Sequence, residues 1–323
     1  MICLRKKPLL SVIVVVYKMP RQALNTLYSL STAYQREVDA TQYEVIVVEN
    51  SSEAMLHPGT VTGLNGTFRY IRRPCDSVSP VRAVTEGVSR ARGGMVAIMI
   101  DGARMVTPGI IASTLRARHI AAQPVIAAPS YHIGKCLQQQ AVHAGYGEAD
   151  EEKLLEQIAW QENGYRLFSI ACFSGSAARG FFAPNAESNF IAMSRQLYKT
   201  RGGCDPRFDL PGGGLVNLDF YKRYVEMADT QLILLPGEGT FHQFHGGVTT
   251  SETASGNRDA FIRTIRDQYE TLRGQAYAPP RTSALYFGEL RPEVMGMVQA
   301  SARRLIDGEV VSIYPDDDGV GIT

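Results

Sequence analysis

Residues 95–104 read Met-Val-Ala-Ile-Met-Ile-Asp-Gly-Ala-Arg, an apolar run that ends at the single carboxylate of Asp101. A short, continuous apolar run is typical of a strand buried on both faces. In an open α/β sheet, ligands bind beyond the carboxyl ends of the strands, so an acid at this position faces the ligand crevice. Asp-Gly is also a common turn pair, and Asp101 could instead only turn the chain toward the helix that Thr107-Pro108 opens.

Strands and helices alternate around this stretch. The sequence predicts strands at 11–17, 43–48, 68–71, 95–100, 124–128, 188–193 and 232–235. It predicts helices from Pro20 to about Gln35, from Pro80, and over 218–227. Repeated βαβ units with short connections predict a doubly wound, mostly parallel sheet.

Two segments depart from this alternation. Residues 131–166 show no pattern that demands a sheet, and we interpret them as an insertion on the crevice side. Beyond residue 250 the apolar residues recur at helical spacing, which predicts a helical C-terminal extension. That extension either caps the domain or pairs subunits in a homodimer.

Composition excludes several classes of function. The 33 basic and 32 acidic residues nearly cancel, so there is no general field to hold nucleic acid or an anionic membrane. No apolar run is long enough for a membrane span, and the N-terminus lacks a signal-peptide pattern, which predicts a cytoplasmic protein. The first strand is followed by neither GxGxxG nor a P-loop, which argues against a classical dinucleotide-binding domain.

Residues 9–247 resemble the GT-A fold glycosyltransferases of the family-2 type. The resemblance rests on four segments: SVIVVVYKMP (11–20), YEVIVVENSS (43–52), SPVRAVTEGVSRARGGMVAIMIDGA (79–103), and the block 202–223. It implies a nucleotide-sugar half at 9–130 and an acceptor half at 131–250 within a GT-A domain over 1–250. The helical extension then covers 251–323.

The resemblance implies a set of nucleotide-binding residues. Tyr17 stands where the family touches the base, and Glu49 where a family acid contacts uracil or ribose. Arg82 falls near the nucleotide, although it could simply be a charge on a helix surface. Asp101 takes the position of the first carboxylate of the family's DxD motif.

The metal site departs from the family pattern, because Ala103 replaces the second DxD acid. In polypeptide N-acetylgalactosaminyltransferases, which share the fold, a histidine six residues after a proline completes the site, and His242 has that spacing from Pro236. His245 would contact a metal ligand or the diphosphate. A divalent cation, Mn²⁺ or Mg²⁺, is therefore implied, and imidazole favours Mn²⁺. Loop histidines are, however, more often structural than ligands.

The acceptor side departs as well. Val216 and Asn217 stand where inverting members carry acids, so the usual general base is missing. The stretch Asn217-Leu218-Asp219 is similar to one in the retaining N-acetylgalactosaminyltransferases, and Asp219 either acts as base or caps a helix. Glu187 and Asn189 are weaker candidates for acceptor contacts. Retention or inversion stays open.

The resulting prediction is a hexosyltransferase-type enzyme that moves a sugar from a nucleotide-diphospho-sugar, UDP-linked, to a hydroxyl of a saccharide, small molecule or peptide. The alternative is a catalytically degenerate protein of the same fold that binds nucleotide-sugars, which Ala103 and Asn217 motivate. A sugar nucleotidyltransferase would need a glycine-rich, basic triphosphate loop near the first strand, and the sequence has none there.

Overall fold

The computed structural model describes residues 7–74, 76–245 and 258–308. The strands β1 to β12 are Leu10–Val16, Tyr43–Asn50, Phe68–Arg73, Met95–Met99, Arg104–Val106, Pro124–Ala127, Ser130–Ile133, Ala171–Phe173, Ile191–Ser194, Gln231–Leu234, Thr240–His242 and Leu285–Tyr286. The helices α1 to α10 are Pro20–Ser29, Pro58–Thr62, Val81–Arg90, Ile110–Ala117, Gln138–Ala141, Glu148–Gln157, Arg195–Thr200, Val216–Val225, Arg258–Arg273 and Met295–Asp307.

The large sheet has eight strands in the order β12-β10-β6-β9-β4-β1-β2-β3. All neighbours in it pair in parallel except β9, which runs antiparallel to both β4 and β6. The predicted α/β class with a mostly parallel sheet is therefore confirmed.

Both faces of the large sheet are covered, because successive side chains of a strand point to opposite faces. On β1, Ile13 and Val15 enter the core shared with α3 and α8. Val12 and Val14 enter the other core, shared with α1 and α4. The sheet is thus doubly wound, as its continuous apolar strands predict.

A second, small sheet has the order β5-β11-β7-β8. β11 pairs antiparallel with β5 and parallel with β7, and β7 pairs antiparallel with β8. β7 covers the first residues of 131–166, a segment whose sequence shows no pattern that demands a sheet. Strands of three or four residues are too short to show a hydrophobic period.

Aromatic side chains form the core of the small sheet. The ring of Tyr131 stacks on Phe241 with centroids 5.2 Å apart and lies 5.1 Å from the ring of Phe173. Phe168, which follows the predicted insertion, packs edge-on against both Tyr131 and Phe241. These contacts hold β11 in a fixed position relative to β7 and β8.

The ends of several elements differ from the prediction. α1 ends at Ser29 rather than near Gln35, whose side-chain amide folds back and donates to the Ser29 carbonyl at 2.7 Å. Residues 251–257 and 309–323 of the predicted C-terminal extension lie outside the described residues. The described part contains α9 and α10 but also β12, which joins the edge of the large sheet beside β10. No described helix is both long and apolar enough to cross a membrane.

Candidate metal centre

Asp101 lies at the carboxyl end of the large sheet, directly after β4. The chain passes so close to β1 here that a Cβ on Gly102 would lie 2.7 Å from the Val15 carbonyl oxygen, which only glycine avoids. Asp101 Oδ1 accepts a hydrogen bond from the Ala103 amide at 3.0 Å, so the residue does shape the turn. Its other oxygen, Oδ2, is directed to the small sheet.

The small sheet brings His242 to this carboxylate. Antiparallel pairing of β11 with β5 places His242 opposite Arg104, three residues after Asp101. His242 Nε2 then lies 3.3 Å from Asp101 Oδ2 and 3.2 Å from His245 Nε2. His245 Nε2 is 3.9 Å from Asp101 Oδ1. The structure therefore brings together the predicted Asp101, His242 and His245.

Gln138 determines which nitrogen of His242 carries the hydrogen. The Gln138 side-chain nitrogen donates to the His242 carbonyl oxygen at 3.0 Å, so its amide oxygen must be the atom 2.5 Å from His242 Nδ1. An amide oxygen can only accept, hence Nδ1 carries the hydrogen. In the neutral ring, Nε2 then keeps its lone pair directed toward Asp101, as in a metal-binding histidine.

The electrostatics keep His242 in this neutral form. Burial and the neighbouring Arg104 guanidinium lower the pKa of His242 to about 3, despite the opposing effect of Asp101. Burial raises the pKa of Asp101, but the charge of the Arg104 guanidinium, whose Nε donates to Oδ2, outweighs it and holds this pKa below its usual range. At neutral pH the site thus presents a carboxylate and an unprotonated imidazole nitrogen, both of which bind metals.

The donor set fits one divalent cation. The ligand atoms of Asp101, His242 and His245 all lie within 4.8 Å of one another. An ion with bonds of about 2.1 Å holds neighbouring ligand atoms about 3 Å apart, close to the separations that His242 makes here. One carboxylate and two imidazoles suit Mn²⁺, and also Zn²⁺ or Fe²⁺, and leave further coordination positions for a ligand.

Three residues of this site were missed by the sequence reasoning: Arg104, His132 and Gln138. Arg104 is 8% exposed, and its Nε donates to Asp101 Oδ2 at 3.0 Å. His132 lies on β7, and its Nδ1 accepts a hydrogen bond from the backbone N–H of Gln138 at 3.1 Å. The ring centroid of His132 lies 5.2 Å from that of His242. Only Arg104 carried a usable signal, its adjacency to the Asp-Gly-Ala motif.

The segment that carries His245 is held by α1 and α6. Glu151 of α6 accepts a hydrogen bond from the Phe244 amide at 2.6 Å, and Gln22 of α1 donates to the Phe244 carbonyl at 2.7 Å. The Gln243 side chain donates to the Gln22 carbonyl at 2.9 Å. Burial raises the pKa of Glu151 to about 8. The predicted insertion therefore packs against the candidate metal ligands.

The predicted nucleotide-binding residues Tyr17 and Glu49 differ in exposure and in contacts. Tyr17 is 40% exposed just after β1, next to the Asp101 loop. Glu49 is the next-to-last residue of β2, beside Val16, and is fully buried; its carboxylate accepts hydrogen bonds from Tyr70 at 2.7 Å and from the Leu56 amide at 3.1 Å. Burial raises the pKa of Glu49. Its carboxylate thus links β2 to β3.

Arg82 lies on α3, and its guanidinium forms its hydrogen bond away from Asp101, His242 and His245. Its guanidinium is exposed and donates to Asp76 at 2.9 Å. The position matches the surface-charge interpretation that the sequence left open.

Of the residues predicted to serve the acceptor, Glu187 and Asn217 are brought together. The Asn217 side-chain amide donates to Glu187 Oε2 at 2.6 Å. Since β9 is antiparallel to β4 with Ile191 opposite Ile98, the residues that precede β9, Glu187 and Asn189 among them, lie at the same sheet edge as Asp101. Asn189 is buried there.

Asp219 is engaged elsewhere. It is buried in α8, where one oxygen accepts from Arg273 Nε at 2.6 Å and the other accepts from Arg223 Nε and Arg273 Nη2, both at 2.8 Å. Two guanidinium groups stabilise the carboxylate and cover both oxygens, which makes Asp219 poorly suited to take a proton from a substrate. It does not cap α8 either, because it lies inside the first turn.

Comparisons with known proteins give structural matches only. No family model and no curated protein matches the sequence. Residues 1–349 of S. aureus TarS match with a TM-score of 0.49 and 12% identity over 92% of this chain and 72% of that one, with the same figures for its complex with UDP. M. tuberculosis glucosyl-3-phosphoglycerate synthase matches with a TM-score of 0.43 and 13% identity over 90% of this chain and 92% of that one. A likeness of this size carries no information on what this chain binds, and it lends no support to the resemblance to polypeptide N-acetylgalactosaminyltransferases.

Proposed function

We propose that this protein is a metal-dependent glycosyltransferase that moves a hexosyl group from a UDP-linked donor to a hydroxyl acceptor. The observation that carries the proposal is the convergence of Asp101, His242 and His245 at the carboxyl end of a doubly wound sheet. That is where such sheets bind nucleotides. The Gln138 contact, which leaves the His242 Nε2 lone pair facing the carboxylate, supports a cation rather than a hydrogen-bonded cluster.

The reaction requires charge stabilisation at this position. When the sugar leaves, negative charge develops on the nucleoside diphosphate, and a bound divalent cation neutralises such charge as a Lewis acid. Asp101, His242 and His245 would hold that cation, with Mn²⁺ as the proposed ion and Mg²⁺ as the weaker choice for two imidazoles. The exposed ring of Tyr17 is available to the base of the nucleotide.

On the acceptor side, Glu187 is the proposed contact to the acceptor hydroxyl. Its carboxylate is half-buried and is oriented by Asn217. Its place at the Asp101 edge of the sheet supports this role, because donor and acceptor must meet there. Asn189 is proposed to line the same edge.

The second candidate function is nucleotide-sugar binding without turnover. The pairing of Asp219 with two arginines supports it, because the residue is then unavailable as a base. Transfer of label from a UDP-sugar, or its hydrolysis, separates the two candidates. Binding without either reaction would favour the second.

The test of the proposed function is a thermal-shift screen of UDP and UDP-sugars with Mn²⁺, Mg²⁺ and Zn²⁺. A ligand that binds only the folded state raises the melting temperature with its saturation. We expect UDP with Mn²⁺ to raise it, the shift to vanish in His242→Ala, and the exposed-histidine control His119→Ala to keep it. An unchanged shift in His242→Ala would remove this residue from the site, and the absence of any shift with UDP would contradict the proposal.

A further inference from the structure

We propose that Arg104 binds the diphosphate of the donor and thereby makes the cation and the nucleotide bind cooperatively. This inference rests on the proposed function, since it concerns the anion at the same site. It assigns a role to a residue outside the four segments that carry the resemblance.

The first observation is an unpartnered donor. The Arg104 guanidinium is buried, its Nε is used by Asp101 Oδ2, and its Nη1 is buried without a hydrogen-bond partner among residues 7–74, 76–245 and 258–308. Arginine cannot lose its charge in a protein, so the unmet donor carries a free-energy cost that an anionic ligand would remove. Phosphate oxygens are strong acceptors for the planar guanidinium fork.

The second observation is the charge at the site. The charges of Asp101 and Arg104 cancel at a contact of 3.0 Å. The imidazole of His242 adds none, because a histidine binds a metal ion in its neutral form. A divalent cation placed on Asp101 and His242 would therefore leave uncompensated positive charge in a buried site, beside a guanidinium that repels it.

A bound diphosphate would supply an acceptor for the unpartnered Nη1 and would compensate the positive charge at the site. Its negative charge offsets the cation and Arg104 together, and its oxygens can accept from Nη1. Each ligand should then raise the affinity for the other, because thermodynamic linkage makes the coupling reciprocal. With a second carboxylate at position 103, the protein would hold the ion without the nucleotide. With the sequence Asp101-Gly102-Ala103-Arg104, binding of the ion depends on the nucleotide instead.

The experiment measures Mn²⁺ affinity by the EPR signal of the free ion, with and without saturating UDP, in the full chain. In the wild type we expect UDP to raise Mn²⁺ affinity by about 10-fold or more. In Arg104→Met we expect Mn²⁺ alone to bind more tightly, because the repulsion is gone, and the effect of UDP to fall to about 3-fold or less. The control Arg116→Met, an exposed arginine paired with Glu37, should match the wild type.

The opposite signs of the two expected changes separate this role from a loss of folding. Arg104→Lys serves as a second variant, which keeps the charge but loses the fork. We expect it to bind Mn²⁺ alone as weakly as the wild type and to bind UDP more weakly. An unchanged coupling factor in Arg104→Met, or weaker Mn²⁺ binding without UDP, would overturn the role of Arg104 while leaving the proposed function intact. A wild type that binds neither UDP nor Mn²⁺ would overturn both.

Discussion

The two sheets of this protein contribute to the candidate site in different ways. The large sheet is built from long, fully buried strands such as β1 and β2, and it supplies Asp101 at the end of β4. The small sheet is built from strands of three or four residues, and it supplies Arg104, His132 and His242. The large sheet thus fixes the architecture, while most of the polar chemistry comes from the small one.

The difference follows from how each sheet is stabilised. The large sheet buries continuous apolar strands between two helical layers. The small sheet depends on a few aromatic contacts, centred on Phe241, and on polar contacts from α1, α5 and α6. The geometry of the small sheet is therefore sensitive to substitution of single side chains.

The largest expected effect is on stability and metal binding together. Phe241→Ala should lower the free energy of unfolding by about 3–5 kcal/mol, measured by urea denaturation, because it removes the ring that packs between Tyr131 and Phe168. It should also abolish Mn²⁺ binding, since His242 is the next residue. The matched variant Phe220→Ala, a fully buried ring in α8, should cost similar stability but keep Mn²⁺ binding at temperatures where it is folded. Equal loss of Mn²⁺ binding in both variants would show that metal binding does not depend specifically on the packing of the small sheet.

The next effect concerns ligands from the two sheets. Asp101→Asn and His242→Gln should each lower Mn²⁺ affinity in the presence of UDP by about 100-fold, and the double variant should cost little more than either alone. Such non-additivity is expected if the carboxylate and the imidazole hold one ion. Isothermal titration of the single and double variants measures it. Additive losses would place the two residues in separate sites.

A smaller effect is expected from the residue that orients His242. Gln138→Met should lower Mn²⁺ affinity by about 10-fold to 100-fold without changing the ligands, because Nδ1 loses the acceptor that fixes its hydrogen. Gln140→Met, on the exposed face of the same short helix, is the control and should leave the affinity unchanged. If both variants bind Mn²⁺ like the wild type, Gln138 has no orienting role.

The large sheet could be predicted from the sequence because its signals are local. The runs around Val14, Val47 and Ile98 identify strands by composition alone, and their alternation with helices predicts a mostly parallel sheet. Asp101 was found for the same reason, as the first polar residue after such a run. His242 was found only through a resemblance in spacing, and in the structure its Nε2 lies 3.3 Å from Asp101 Oδ2.

The small sheet could not be predicted in this way. Its strands have no period of their own, and their pairing depends on contacts between residues as distant as Tyr131 and Phe241. Glu49 illustrates the same limit: the hydrogen bond that its carboxylate accepts from Tyr70 could not be predicted from its position near a strand end. Side-chain direction at a strand end is set by tertiary neighbours, which a single sequence does not reveal.

The smallest expected effect lies at the junction of the two sheets, where Glu238 connects β10 to β11. Burial raises the pKa of Glu238 from 4.5 to about 7, although Thr107, Tyr165 and Ser113 donate to its carboxylate and Arg291 is near. Between these two pH values the folded state holds a proton that the unfolded state has lost. The stabilising contribution is therefore complete below pH 4.5 and is lost as the pH rises through 7.

Glu238→Gln should remove this part of the pH dependence. We expect its free energy of unfolding, measured in urea at pH 5, 6, 7 and 8, to fall less steeply than that of the wild type, by about 1 kcal/mol per pH unit between pH 5 and pH 7. Other buried acids such as Glu151 add a slope of the same sign in both proteins, so only the difference reports on Glu238. The exposed control Glu156→Gln should keep the wild-type slope. Parallel slopes in wild type and Glu238→Gln would mean that the junction carries an ionised glutamate at all these pH values, held by its three hydroxyl donors against the cost of burial.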